Sequence, residues 1–199
     1  RAAMSKHCVH ACLIPSADPH LSEYLPARWQ GREVFSGFTG SVATLIVTTD
    51  FAGLWVDSRY WSQAEIELAG SGIQMMKIQS AAATAHIDWL AQHLQAGQTL
   101  AVDGNVLGLA SARALQSALE PKQITLNTQL DILDEVWSDR PSLPDAPIYE
   151  HLPPFAVVSR ADKLAAVRAQ MQAKGASWHF VSTVDDIAWI FNLRGADVN

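Results

Sequence analysis

Ala43-Thr44-Leu45-Ile46-Val47-Thr48-Thr49 ends at Asp50, and Leu54-Trp55-Val56 follows a Gly-containing turn. The β-branched content of the first run and the turn residues between the two predict a hairpin. That antiparallel pair sets the fold class, because everything around it reads as helix alternating with strand. Upstream, Val9-His10-Ala11-Cys12-Leu13-Ile14 is an apolar run closed by Pro15, the pattern of a buried strand. Arg1 to His7 has helical character, and Ser16 to Glu23 reads as a polar loop. Downstream, Trp61, Ala64 and Leu68 recur at helical spacing between Tyr60 and Leu68, and Gly70 and Gly72 end that helix. Ile73 to Ile78 predicts a strand, and His86 to Leu94 a helix with Ile87, Leu90, Ala91 and Leu94 on one face. Thr99 to Val102 is the next strand, Ser111 is placed to cap a helix running to Leu119, and Ile124 to Leu126 is a last strand. Such alternation predicts an α/β domain, a β-sheet flanked by helices. The hairpin makes the sheet mixed.

Asp139 to Pro147 carries three prolines in nine residues, which resists both helix and central strand and marks a linker. The domain ahead of it is expected over residues 1–152, with the linker across about 139–154. From 155 to 199 a second domain begins. Ser159 is placed to cap a helix bearing Leu164, Val167 and Met171 and stopped by Gly175. Trp178 to Val181 reads as a strand, and Val184 to Leu193 as an apolar helix. About 40 residues of helix, strand and helix are too few to close a core, so this second domain is expected to be truncated. The first residues show neither an initiating Met nor an N-cap, and the whole is read as a piece of a longer chain.

Hydrophobic residues make up 49% of the 199 positions and charged residues 17%, the balance of a soluble globular protein rather than a disordered one. A formal net charge of −6 supplies no basic field for phosphates and argues against a nucleic-acid partner. No apolar run nears the ~18 residues of a membrane helix, and Arg1 to His10 lacks a signal-peptide core, so no membrane partner is expected and the location is read as cytoplasmic. Cys8 and Cys12 are too few for a disulfide framework and lack the spacing of a zinc site.

No residue set in the chain completes an active site. Gly37-Phe38-Thr39-Gly40-Ser41 has no Lys after its glycine and fits neither a phosphate loop nor a nucleophile elbow; it reads as a tight turn with Phe38 packed inside. Asp18-Pro19-His20 with Glu23 gathers potential metal ligands, but Asp before Pro favours a turn and no further ligand motif lies near. At the strand-to-helix junction Asp57-Ser58-Arg59-Tyr60, Asp57 or Ser58 is expected to cap the helix. His86 and His93 read as boundary residues, and Asp185-Asp186 as support for a helix N-terminus. Of the seven tryptophans, several are expected in the core and a minority on a contact surface.

Four segments share a further property. Ser16-Ala17-Asp18-Pro19-His20-Leu21-Ser22-Glu23-Tyr24, Phe35-Ser36-Gly37-Phe38-Thr39-Gly40-Ser41, Leu54-Trp55-Val56-Asp57-Ser58-Arg59-Tyr60 and Ile187-Ala188-Trp189-Ile190-Phe191-Asn192-Leu193-Arg194-Gly195 resemble, in order and interval, the first two domains of three-domain Xaa-Pro aminopeptidases. The resemblance covers essentially the whole chain. Ser58 departs from it, since the family commonly has glycine there.

The resemblance implies a creatinase-type N-terminal domain, then the start of a related second domain, with the pita-bread catalytic domain absent. Enzymes of that family are metallopeptidases that remove the N-terminal residue from peptides with proline second. They usually use two manganese ions, held by two Asp, one His and two Glu of the third domain. No residue here matches those ligands, so this region is expected to hold no cofactor and to be inactive alone. By the same analogy it shapes substrate access and builds the contacts of a homodimer. His20, Glu23, Tyr24, Arg32, Phe38 and Arg59 are the residues expected on the face turned towards the active site. A prolidase or creatinase relative, or a non-enzymatic pita-bread binding module, would share this architecture.

Overall fold

A computed structural model describes residues 1–80 and 84–195. Contacts divide the chain into two units, Arg1–Ser142 and Leu143–Asn199. Residues 143–152, grouped above with the first domain, fall in the second unit.

The first unit runs α1 (Ala2–Lys6), β1 (Ala11–Pro15), α2 (Gly31–Ser36), β2 (Thr44–Thr48), β3 (Ala52–Val56), α3 (Trp61–Glu67), β4 (Gln74–Lys77), α4 (Ala85–His93), β5 (Thr99–Ala101), α5 (Leu109–Leu119), β6 (Thr125–Asn127) and α6 (Leu133–Val136). Its six strands form one sheet in the order β4-β3-β2-β1-β5-β6. β2 lies antiparallel between β1 and β3, while β1, β5 and β6 are mutually parallel and β3 is parallel to β4. The expected hairpin is therefore β2–β3, with Leu45 opposite Leu54.

Alternation along each strand splits the core into two layers. Cys12, Ile14, Leu45, Leu54 and Val56 pack with Met4, Ala64 and Leu68, so α1 and α3 cover one face. Leu13, Ile46, Trp55 and Leu100 pack with Ile87, Leu90, Leu94, Leu115 and Leu119, so α4 and α5 cover the other. Burial on both faces is why these strands read as continuous apolar runs rather than alternating ones.

Local signals set most boundaries. Gly70 and Gly72 follow α3 at φ +75° and +76°, a conformation glycine adopts at little cost. The Ser111 cap is corrected: α5 starts at Leu109 with extended Gly108 as its N-cap, which leaves Ser111 inside the first turn.

The second unit holds β7 (Tyr149–Glu150), α7 (Arg160–Ala173), α8 (Val184–Phe191) and β8 (Leu193–Arg194). Ser159 caps α7 by accepting the Asp162 amide, and Gly175 follows at φ +65°. Lys163 is buried; its Nζ donates to the Trp189 carbonyl at 2.7 Å and to Asn192 Oδ1 at 2.6 Å, tying α7 to the end of α8. The expected strand at Trp178 to Val181 is corrected: that stretch has no strand structure, and Trp178 and Phe180 are exposed. β7 pairs antiparallel with β8 instead. The tryptophans divide as their contexts dictate, with Trp55 and Trp137 in the core and Trp178 and Trp189 exposed.

Candidate functional site

Because β2 runs against its neighbours, its first residue lies at the carboxyl ends of β1 and β3: Thr44 faces Pro15 on one side and Trp55 on the other. The segments after β1, before β2, after β3 and after β5 therefore meet along one edge of the sheet. In open α/β sheets this is the edge where ligands bind, outside the carboxyl ends of the strands and where the strand order switches direction. The switch here falls between β1 and β5, since the chain winds from β1 out to β4 and returns to β1's other side. Leu21, after β1, lies across that switch from Gly108, where a Cβ would come within 3.2 Å of its methyl group.

Arg32 ties two of these segments together. Its guanidinium is buried, donates to the carbonyls of Phe38 and Gly40 (2.7 Å for the latter), and donates through Nε to Ser16 Oγ at 3.0 Å. Ser16 Oγ in turn donates to the Ala43 carbonyl and accepts the Ala43 amide. Burial lowers the Arg32 pKa, opposed by the nearby Glu33 and Glu67 carboxylates; its hydrogen bonds go to backbone carbonyls and a hydroxyl. The ring of Phe38 is fully buried beneath the guanidinium, 5.2 Å from its central carbon, and meets Tyr60 edge-on at 5.8 Å.

The two glycines of this turn act differently. Gly37 ends α2 in the left-handed region at φ +71°. Gly40 is required by space, since a Cβ there would sit 2.3 Å from the Phe38 ring and 2.9 Å from Tyr60. On the outer side, Glu67 accepts the Thr39 amide at 2.9 Å and the Thr39 hydroxyl at 2.7 Å, braced by Gln63.

The loop after β1 is an Asx turn. Buried Asp18 accepts the amides of His20 at 3.0 Å and Ser22 at 2.9 Å, bearing out the turn reading of Asp-Pro. After β3, the expected cap is corrected: Asp57 accepts the Arg59 amide and its guanidinium through Nε and Nη2 (3.0 and 2.8 Å), and α3 has no side-chain cap. Hydrogen bonding from Arg59 holds the Asp57 carboxyl below its usual range against the opposing effect of burial. A pKa lower folded than unfolded adds stability above the unfolded value of about 3.9, and that stability is lost as pH falls through the folded value. Asp57→Asn is therefore expected to flatten the acid limb of stability below about pH 4. Urea midpoints measured across pH check this, and superimposable acid limbs for the two proteins would contradict it.

Of the residues expected on this face, His20, Glu23, Tyr24 and Arg59 are exposed, whereas Arg32 and Phe38 are buried. From inside, the last two hold the loop from Gly37 to Ser41. Sequence reading did not single out Ser16, Ser41 or Glu67 as members of this edge. The resemblance pointed to the segments of Ser16 and Ser41 but not to that of Glu67, whose hydrogen bonds join residues far apart in the chain. Among the described residues no three His, Cys, Asp or Glu side chains gather as a metal would require.

The sequence profile described as Creatinase/Prolidase N-terminal domain matches residues 1–136, and a second profile of the same description matches residues 139–199. The chain belongs to the creatinase/prolidase N-terminal domain family. Within that family it is 36% identical over 193 residues to Aminopeptidase P2 of Arabidopsis thaliana, covering 96% of this chain and 27% of that protein. It is 35% identical over 200 residues to a probable Xaa-Pro aminopeptidase P of Laccaria bicolor, covering 100% of this chain and 31% of that protein. The crystal structure of an X-prolyl aminopeptidase from Caenorhabditis elegans, described as a cytosolic enzyme with a di-nuclear active site, superposes with a TM-score of 0.78 at 28% identity. It covers 96% of this chain and 31% of that one. The chain thus spans less than a third of the length of these relatives. No helix among the described residues is long and apolar enough to cross a membrane.

Proposed function

We propose that this chain is the non-catalytic N-terminal region of a cytoplasmic, homodimeric Xaa-Pro aminopeptidase. In this reading the part before the Pro-rich linker is its first domain and the part after it the start of its second. The region shapes the access of proline-containing peptides to a catalytic domain carried elsewhere in the protein, and adds subunit contacts. Two divalent metal ions, manganese in the family's usual practice, belong to that catalytic domain and supply the activated water when bound. The residues of this chain supply a rigid polar edge instead. The observation that carries the reading is similarity along the whole chain to Xaa-Pro aminopeptidases, at 36% identity in the Arabidopsis relative and a TM-score of 0.78 in the nematode structure.

The 199-residue chain alone is expected to show no turnover of an Ala-Pro-Xaa peptide with added manganese. Turnover that a chelator abolishes would overturn this. A longer protein carrying this chain and a catalytic domain is expected to release the N-terminal residue from the same peptide. Cleavage restricted to Xaa-Pro dipeptides would point to a prolidase relative instead, and binding without cleavage to a non-enzymatic module.

A further inference from the structure

The five residues Gly37 to Ser41 are each fixed by a partner although the loop lies at the surface. The Gly37 amide donates to the Glu33 carbonyl at 2.7 Å, Phe38 and Gly40 receive the guanidinium of Arg32, Thr39 is held twice by Glu67, and Ser41 Oγ lies 2.6 Å from Tyr60 Oη. Two of these restraints are costly to build. Arg32 is buried with carbonyls as its acceptors, and Gly40 leaves no room for any side chain beneath the Phe38 and Tyr60 rings. A loop that merely closed a chain reversal would not need a buried cation. A loop that must present a group at a fixed place does, because binding groups act best when held by a rigid frame.

The group presented is the Ser41–Tyr60 hydroxyl pair. One hydroxyl donates to the other, which leaves one O–H hydrogen and further lone pairs, so the pair can both donate to a carbonyl and accept an N–H. A peptide unit offers those two groups, and the pair stands at the carboxyl edge of the sheet described above. We infer that Ser41 and Tyr60 form a hydrogen-bonding station for the backbone of an extended peptide substrate, and that Arg32 and Glu67 are positioning residues that hold the station in place. This rests on the aminopeptidase reading and names the part of the substrate that this region would meet.

The test uses the longer enzyme carrying this chain. Ser41→Ala and Tyr60→Phe are each expected to raise KM for an Ala-Pro-Xaa peptide about threefold to tenfold with kcat nearly unchanged, the effect of losing one neutral hydrogen bond in binding. Arg32→Lys and Glu67→Gln are expected to raise KM in the same sense and to quicken amide exchange at Thr39, Gly40 and Ser41, with exchange in β1 unchanged. Should Arg32→Lys fail to fold, Glu67→Gln carries the same measurement from the exposed side. A wild-type enzyme without turnover overturns the aminopeptidase reading and the station with it. An active wild type whose KM is unmoved by Ser41→Ala and Tyr60→Phe overturns the station alone. Loop exchange unaffected by the Glu67 and Arg32 variants overturns the positioning role.

Discussion

Arg32→Met is expected to destabilise the first unit by about 2–4 kcal/mol. Methionine fills much of the arginine's volume but donates nothing, so the carbonyls of Phe38 and Gly40 lose their guanidinium partner inside the fold. Each buried acceptor left unpaired costs about 1–3 kcal/mol. Relief from burying a cation offsets part of the loss, which keeps the expected figure below the sum of the two. The Ser16 hydroxyl retains the Ala43 carbonyl and amide as partners and adds little. Urea unfolding followed by far-UV circular dichroism measures the change. A midpoint equal to that of the parent would mean that water reaches both carbonyls and that the arginine is dispensable for the fold.

Lys163→Met is the second large effect, expected at about 2–4 kcal/mol and confined to the second unit. The Lys163 ammonium makes two charge-assisted hydrogen bonds and stands 4.2 Å over the Trp189 ring. One of its acceptors, the Trp189 carbonyl, lies in the last turn of α8, where the helix dipole favours a cation. The other, Asn192, adopts φ +51° to end α8 and passes the connection on by donating to the Val158 carbonyl at 2.9 Å. Removing the ammonium breaks the chain of contacts from α7 through Asn192 to residue 158. Faster amide exchange throughout α8, with β1 to β3 unaffected, is the expected readout. Unchanged protection in α8 would show that its apolar side chains alone dock it.

What the sequence determined by itself was whatever depends on near neighbours or on a pattern repeated along one element. The hairpin at Ala43 to Val56, the apolar runs of β1 and β5, the glycines closing α3 and α7 and the Ser159 cap are all of this kind. Local propensity failed where a strand needs a partner. Trp178 to Val181 has the residue types of a strand, but strand structure exists only with a second row of donors and acceptors beside it. Tyr149 to Glu150 and Leu193 to Arg194, each too short to read as strands, found such rows in one another. The junction at Asp57 failed for a related reason: a carboxylate there can cap a helix or pair with a nearby arginine, and the position of Arg59 made the choice. Only the tertiary structure decided that Arg32 lies inside while Ser41 is exposed and Tyr60 half-buried beside it. An arginine shows in sequence as a charge, and its burial is settled by the carbonyls of Phe38 and Gly40 converging on it, which folding alone brings about.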